Sequence, residues 1–213
     1  MKMHFPVVPL GVRLLSPKGL FWQVKERLKG EKAIYITFDD GPIPEVTPKV
    51  LEILAQFDAK ATFFCVGDNV RKHPDVFKSI LDQGHSVGNH TYCHLNGNKV
   101  DQAIWYEDIE HCDELVKSNL FRPPHGRITW NQVIKLRKKY NIIMWSVLTG
   151  DYNHSLTKEM VAGYAIKYGK EGSIIVFHDS IKAEERMLYA LPKVLEYFKS
   201  KGFVFKRIIL DLM

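Results

Sequence analysis

The chain has 213 residues, 46% of them hydrophobic and 25% charged, with a net charge of +6. That length supports one domain with a sizeable core, and no run approaches the roughly 20 apolar residues that span a bilayer. The basic residues are scattered, Lys135, Arg137, Lys138 and Lys139 being the densest group, and no nucleic-acid motif accompanies them, so a nucleic-acid partner is not expected.

Residues 1–31 read as an irregular leader packed on the domain that follows, with a short helix around Phe21–Leu28. Pro6, Pro9 and Arg13 break its apolar run and no small-residue cleavage site follows, so a secretory signal is not supported. Cys65, Cys93 and Cys112 are odd in number and form no CxxC pair, which argues against a disulfide framework. Both points place the chain in the cytoplasm or at a membrane surface, export remaining open.

From residue 32 a rhythm begins, and residues 32–213 read as one domain. AIYITF (33–38) is a predicted strand and VTPKVLEILAQF (46–57) a helix; ATFFCV (61–66) is a strand, and 74–83 a helix opened by Pro74 and followed by Gly84. A short extended piece, HSVGNH (85–90), precedes a long amphipathic stretch over 100–118. NLFRPP (119–124) is a brief strand, 129–140 a helix capped by Thr129, IIMWSV (142–147) a strand, and 156–169 a helix ending at a glycine. SIIVFHD (173–179) is a strand, 183–202 a helix interrupted by Pro192, and 203–210 a closing strand.

Alternating strands and helices imply parallel pairing with helical crossovers, and continuous apolar strands imply cover on both faces. An open doubly wound sheet and a closed barrel both fit about seven such units. The position of the polar residues favours the barrel. Asp39 with Asp40, His90 with His94, Arg122, Asp151 and His178 lie at or just after five different predicted strands, and residues from many strand ends converge only when the sheet closes into a ring.

TFDDGP (37–42) raises the first chemical question, because two adjacent carboxylates at a buried strand end repel each other. A divalent cation would neutralise them. HTYCH (90–94) supplies two imidazoles; if that segment makes one helical turn, His90 and His94 share a face and, with one aspartate, form a two-histidine, one-carboxylate set with an open position for water. On that turn Cys93 points away, as a small buried hydrophobe, and His85 packs elsewhere. Arg122 in FRPPHG makes either a rim salt bridge or an ion pair that holds one aspartate, and Pro123 and Pro124 stiffen the loop after it. His178 is either structural or, with Asp151 on its other ring nitrogen, a general acid. Trp145 is either core or a wall for a sugar ring.

TFDDGP, HTYCH, FRPPHG, Trp145 to Asp151 and VFH, in this order, resemble the motifs of the polysaccharide deacetylase family, the NodB homology domain of carbohydrate esterase family 4, over residues 33–205. The resemblance implies a distorted (β/α)7 barrel, related to the eight-fold barrel, and one divalent metal ion, zinc by expectation with cobalt or nickel as alternatives. It implies Asp39 as catalytic base, Asp40, His90 and His94 as metal ligands, Arg122 as the residue that orients Asp39, and His178 as general acid tuned by Asp151. Pro124, His125, Trp145 and Val176 would form the substrate site, with the His125 N–H as an oxyanion donor. Thr91 would steady the histidine turn. The implied activity is removal of N-acetyl groups from amino sugars of a polysaccharide or oligosaccharide. A hydrolase of small cyclic amides or imides, or a silent glycan-binding protein, are the alternatives. His125, Val176, Leu148 and Tyr152 replace the family's commoner tyrosine, leucine, aspartate and tryptophan, and these changes bear on the choice of glycan.

Overall fold

Apolar runs that are buried on both faces become parallel strands here, most of them joined by a helical crossover. The computed structural model describes residues 5–24 and 31–212. The leader forms helix α1 (Leu10–Leu15) and a two-residue strand, β1 (Leu20–Phe21). Next come β2 (Lys32–Asp39), α2 (Thr47–Gln56), β3 (Ala61–Cys65), α3 (Gly67–Lys72), α4 (Pro74–Asp82) and β4 (Ser86–Asn89). Helix α5 (Gln102–Val116) leads to β5 (Leu120–Phe121), a single 3-10 turn at Pro124–Gly126, and α6 (Trp130–Leu136). The chain finishes with β6 (Asn141–Ile143), β7 (Val147–Leu148), α7 (Lys158–Tyr168), β8 (Ile174–His178), α8 (Glu184–Ser200) and β9 (Phe203–Phe205).

The strand order is β1-β6-β5-β4-β3-β2-β8-β7, with β9 added beside the start of β2. The predicted strand 142–147 is broken: its first part pairs with β5 and its second with β8, the chain bending between Ile143 and Val147. The ring is therefore closed through the covalent chain rather than by one more ladder, which makes the structure the distorted (β/α)7 barrel that the sequence suggests. The break frees carbonyl groups inside the molecule. Arg122 takes two of them, its Nε donating to Ile143 O at 3.1 Å and its Nη2 to Met144 O at 3.0 Å.

The leader lies along this seam. Pro6 O accepts from Leu148 N–H (2.9 Å), Phe21 O from Met144 N–H (2.8 Å), and Gly172 O from Val24 N–H (2.9 Å). The helix predicted over Phe21–Leu28 is not formed at Phe21, which is strand; residues 25–30 lie outside the described residues. Among the described residues, no helix is long and apolar enough to cross a membrane.

Side-chain alternation on β2 separates two of the three apolar clusters, the third lying around Trp105 and Phe121. Ile34, Ile36 and Phe38 of β2 face outward into the main cluster under α2, α7 and α8, while Ala33 and Tyr35 face inward with Phe64, Leu120, Ile143 and Ile174. Ile208 closes the inner cluster from below, its N–H held by Thr62 Oγ1 at 2.8 Å. The final extended segment thus crosses the barrel's lower end instead of continuing β9 to residue 210.

Three other expectations need correction. Helix α3 was not predicted; Asp68 with Arg71 and Lys72 gives it i,i+3 and i,i+4 ion pairs. Pro192 does not interrupt α8, because Leu191, Val194 and Leu195 beside it are fully buried and their packing outweighs the roughly 3 kcal/mol a helical proline costs. The HTYCH segment is not helical; Thr91 (φ 64°) and His94 (φ 57°) are both left-handed. Thr129 does cap its helix, in a full capping box with Gln132.

Candidate active site

With a period of two, the inward series on each strand ends at the barrel mouth in a polar residue. On β2 it runs Ala33, Tyr35, Thr37, Asp39; beyond β4 it reaches His90; beyond β5, Arg122; beyond β6, Trp145; and on β8 it ends at His178. Five polar or aromatic side chains thus share the upper end of the apolar interior because alternation stops where the strands stop.

Asp39 is 4% exposed and Arg122 fully buried, joined by a 2.6 Å contact from Nη1 to Oδ1. The guanidinium also donates to Thr37 Oγ1 (2.8 Å) and lies 4.0 Å above the Phe64 ring. Burial lowers the Arg122 pKa from its ordinary value and the Asp39 carboxylate opposes that. With five partners fixing its plane, the guanidinium presents one rigid edge to the carboxylate.

Next to this pair, ligand atoms of Asp40, His90 and His94 all lie within 4.8 Å of one another. Asp40 Oδ1 is 3.2 Å from His94 Nε2 and 3.7 Å from His90 Nε2. Burial raises the Asp40 pKa, but the hydrogen bond from His94 and the imidazoles of His178, His90 and His94 outweigh it and leave the carboxyl well below the usual range. His90 Nδ1 lies 2.8 Å from Arg122 O, an acceptor, so Nδ1 carries the hydrogen and Nε2 keeps its lone pair toward Asp40. Burial pushes the His90 pKa down to about 4, so the ring is neutral at pH 7. Two imidazole nitrogens and a carboxylate oxygen at these separations can hold one divalent cation.

The loops are fixed from outside. Asp40 has a positive φ of 83°, and Asn69 Nδ2 donates to its carbonyl at 2.7 Å. Gly41 is required by close approach: a Cβ there would lie 2.0 Å from Asp179 Oδ2. Asp179 Oδ1 accepts the Gly41 N–H (3.0 Å) and Oδ2 the Thr47 hydroxyl (2.6 Å), and burial pushes the Asp179 carboxyl up to about 8. The histidine turn hangs on Asp108 of α5, which accepts from Tyr92 and Cys93 N–H groups, and on Asn89, which accepts from Thr91 N–H. Thr91 Oγ1 accepts from Leu95 N–H at 3.2 Å. Cys93 is exposed, not buried as expected, because the non-helical turn swings it outward.

His178 Nδ1 is 2.8 Å from Asp151 Oδ1, and Asp151 Oδ2 accepts the His178 N–H at 2.7 Å. Burial works to lower the His178 pKa, but Asp151 first, then Asp40 and Asp39, overcome it and bring it up to about 9. Arg186, 8% exposed, donates to Asp151 O at 2.6 Å.

Asp39, Asp40, His90, His94, His125, Trp145 and His178 line one cleft of about 260 Å³ together with Leu148, Tyr152 and Lys182. Gly126 (φ 64°) sits against Trp145, where a Cβ would meet the indole at 2.3 Å. Arg122 and Asp151 stand behind the lining. Pro124 and Val176 are buried and do not reach it; Val176 is one inward step below His178 on β8. The sequence reading did not single out Asp179, Asp108, Asn69, Arg186 or Lys182. Asp179 adjoins His178 in the chain, a signal that was present; the others are brought in only by folding.

A family model described as polysaccharide deacetylase matches residues 26–145. A peptidoglycan-N-acetylglucosamine deacetylase of Bacillus cereus is 36% identical over 200 residues, 90% of this chain and 92% of that one. A peptidoglycan-N-acetylmuramic acid deacetylase of Bacillus subtilis is 33% identical over 196 residues, 86% of this chain and 72% of that one. The crystal structure of a peptidoglycan N-acetylglucosamine deacetylase in complex with an N-oxidanyl-benzamide superposes with a TM-score of 0.84 at 29% identity, covering 94% of this chain and 95% of that one.

Proposed function

The chain belongs to the polysaccharide deacetylase family, and from that premise we propose that it is a metal-dependent hydrolase that removes N-acetyl groups from the amino sugars of a glycan, in the manner of an N-acetylglucosamine deacetylase. The observation that carries this reading is the meeting, in one cleft, of the Asp40, His90 and His94 cluster with the Asp39–Arg122 and His178–Asp151 pairs.

Asp40, His90 and His94 would hold the ion, and two histidines with one carboxylate favour zinc. When bound, such an ion stabilises negative charge on an acetyl oxygen and brings the pKa of water from 15.7 to about 7. Asp39, aligned by Arg122, takes a proton from the water as its oxygen bonds to the acetyl carbon. Without that acidification a carboxylate, with an ordinary pKa near 3.9, is too weak a base. His125 lines the cleft, and its N–H would be the donor to the oxygen that gains charge. The carbon–nitrogen bond then breaks, and because an amine leaves poorly as an anion, His178 Nε2 delivers a proton to the nitrogen. Its Nδ1–H stays on Asp151 throughout. Acetate and a free amino sugar result. Trp145 and Leu148 form the apolar side of the cleft, where an acetyl methyl and a sugar face can leave water.

Acetate release from a panel of N-acetylated glycans, with zinc or cobalt added, tests the proposal. Release that depends on metal supports it. Turnover of cyclic imides alone, or binding of glycan without any release, would replace it with one of the other readings.

A further inference from the structure

Charge in the cleft is unevenly settled. Asp39 is paired with Arg122 and Asp151 with His178, and Asp40 faces the two imidazoles. Among the described residues, Lys182 is the one lysine or arginine of the lining, and no carboxylate lies within ion-pair distance of it. Its ammonium stands 5.6 Å from the centroid of the Tyr152 ring, and that ring meets His178 edge-on at 4.9 Å. The lysine is therefore about one aromatic ring away from the proposed proton donor.

Its backbone is also fixed. Arg186 Nη2 donates to Lys182 O at 2.9 Å while the same guanidinium donates through Nε to Asp151 O at 2.6 Å. One buried side chain thus ties the Lys182 loop to the carboxylate that holds His178. A neutral N-acetyl hexosamine chain gives such an ammonium only hydroxyl groups to meet. A carboxylate adds an opposite charge to the same hydrogen bond, so Coulomb attraction favours it over a hydroxyl.

We propose that Lys182 is a specificity-determining residue that pairs with a carboxylate carried on or beside the N-acetyl amino sugar, so that the preferred substrate is a carboxylate-bearing glycan of the muramoyl type, whose lactyl ether places an acid next to the acetamido group, rather than a neutral chain. This rests on the reading that the cleft receives an N-acetyl amino sugar, and deepens it.

The test compares a peptide-free tetrasaccharide of alternating N-acetylglucosamine and N-acetylmuramic acid with chitotetraose, on the zinc-loaded full chain. The wild-type protein should favour the acidic tetrasaccharide in kcat/KM. Lys182→Met should lower the ratio of the two kcat/KM values by roughly ten-fold, Lys182→Arg should restore most of it, and added salt should erode the wild-type preference. A ratio unchanged in Lys182→Met, or equal losses on both compounds, would overturn the proposal. Calorimetric binding of the same two compounds separates it from the hydrolase reading. A Lys182-dependent binding preference without acetate release keeps this inference and removes the hydrolase. Binding without preference, or no binding, removes this inference.

Discussion

Asp39 and His178 are register partners on the adjacent parallel strands β2 and β8. Partners at one level of a parallel pair project to the same side, about 4.8 Å apart along the hydrogen-bonding direction. The proposed proton acceptor and donor are thus neighbours by sheet geometry alone. What separates their roles is that each has its own holder behind the lining, a guanidinium for Asp39 and a carboxylate for His178.

Asp39→Asn keeps the shape of the side chain and removes its ability to take a proton. Activity should fall roughly 10²–10⁴-fold while bound metal stays stoichiometric. Turnover near the wild-type rate, measured on a preparation of known metal content, would reject Asp39 as the base.

Arg122→Met leaves Asp39 buried without its partner and leaves the Ile143 and Met144 carbonyls without donors. Breaking a buried pair in this way costs about 3–5 kcal/mol, and Tm should drop by roughly 6–20 °C. Arg122→Lys should not recover the loss, since an ammonium cannot serve four acceptors in one plane and stack on Phe64 as well. A thermal melt within a degree or two of wild type would contradict the ring-closing role.

Asp40→Ala and His94→Ala should each abolish stoichiometric zinc, read by elemental analysis after gel filtration. Because an ion that binds only the folded chain stabilises it, chelation should lower the wild-type Tm and leave both variants unmoved. Full zinc content in either variant would refute the ligand set.

His178 supplies a signed pH prediction. Its folded pKa is raised from 6.5 to about 9, so it is protonated at pH 7 and its contribution to stability is complete below 6.5 and lost as pH rises through about 9. Activity that needs this proton should have a basic limb. A cation on Asp40 removes part of the support, so the metal-loaded limb should lie below the value of the metal-free histidine. Asp151→Asn should move the His178 NMR titration down from about 9 toward or below 6.5. An unshifted titration would mean that Asp151 does not tune it.

Gly41→Ala forces a methyl group into the Asp179 carboxylate and should weaken zinc binding by ten-fold or more through the neighbouring Asp40 turn. Asp179→Ala should weaken it too, by releasing Gly41 and Thr47. Combined, the two losses should be less than additive, because the smaller residue makes room for the methyl. Strict additivity would show that the clash is not the cause.

Much of this was legible in the sequence because it depends on local pattern. Period-two strands with apolar residues on both faces signalled a parallel sheet, and polar residues after so many strands signalled a ring. The identities of Asp39, Asp40, His90, His94, Arg122, Asp151 and His178 stood out because charge at a buried strand end is costly without a chemical reason. Tertiary structure decided the rest. The histidines converge through a left-handed turn hung on Asp108, not through a helix, since hydrogen bonds from another element outweigh local propensity. The ring closes by a bend whose carbonyls Arg122 must satisfy, a partner 21 residues away from Ile143. Lys182 joins the cleft lining from the loop before α8, where Arg186 bonds both its carbonyl and that of Asp151. Alternation and composition are properties of neighbouring residues and can be read along the chain. Which distant groups satisfy one another's charges and hydrogen bonds is fixed only when the barrel has closed.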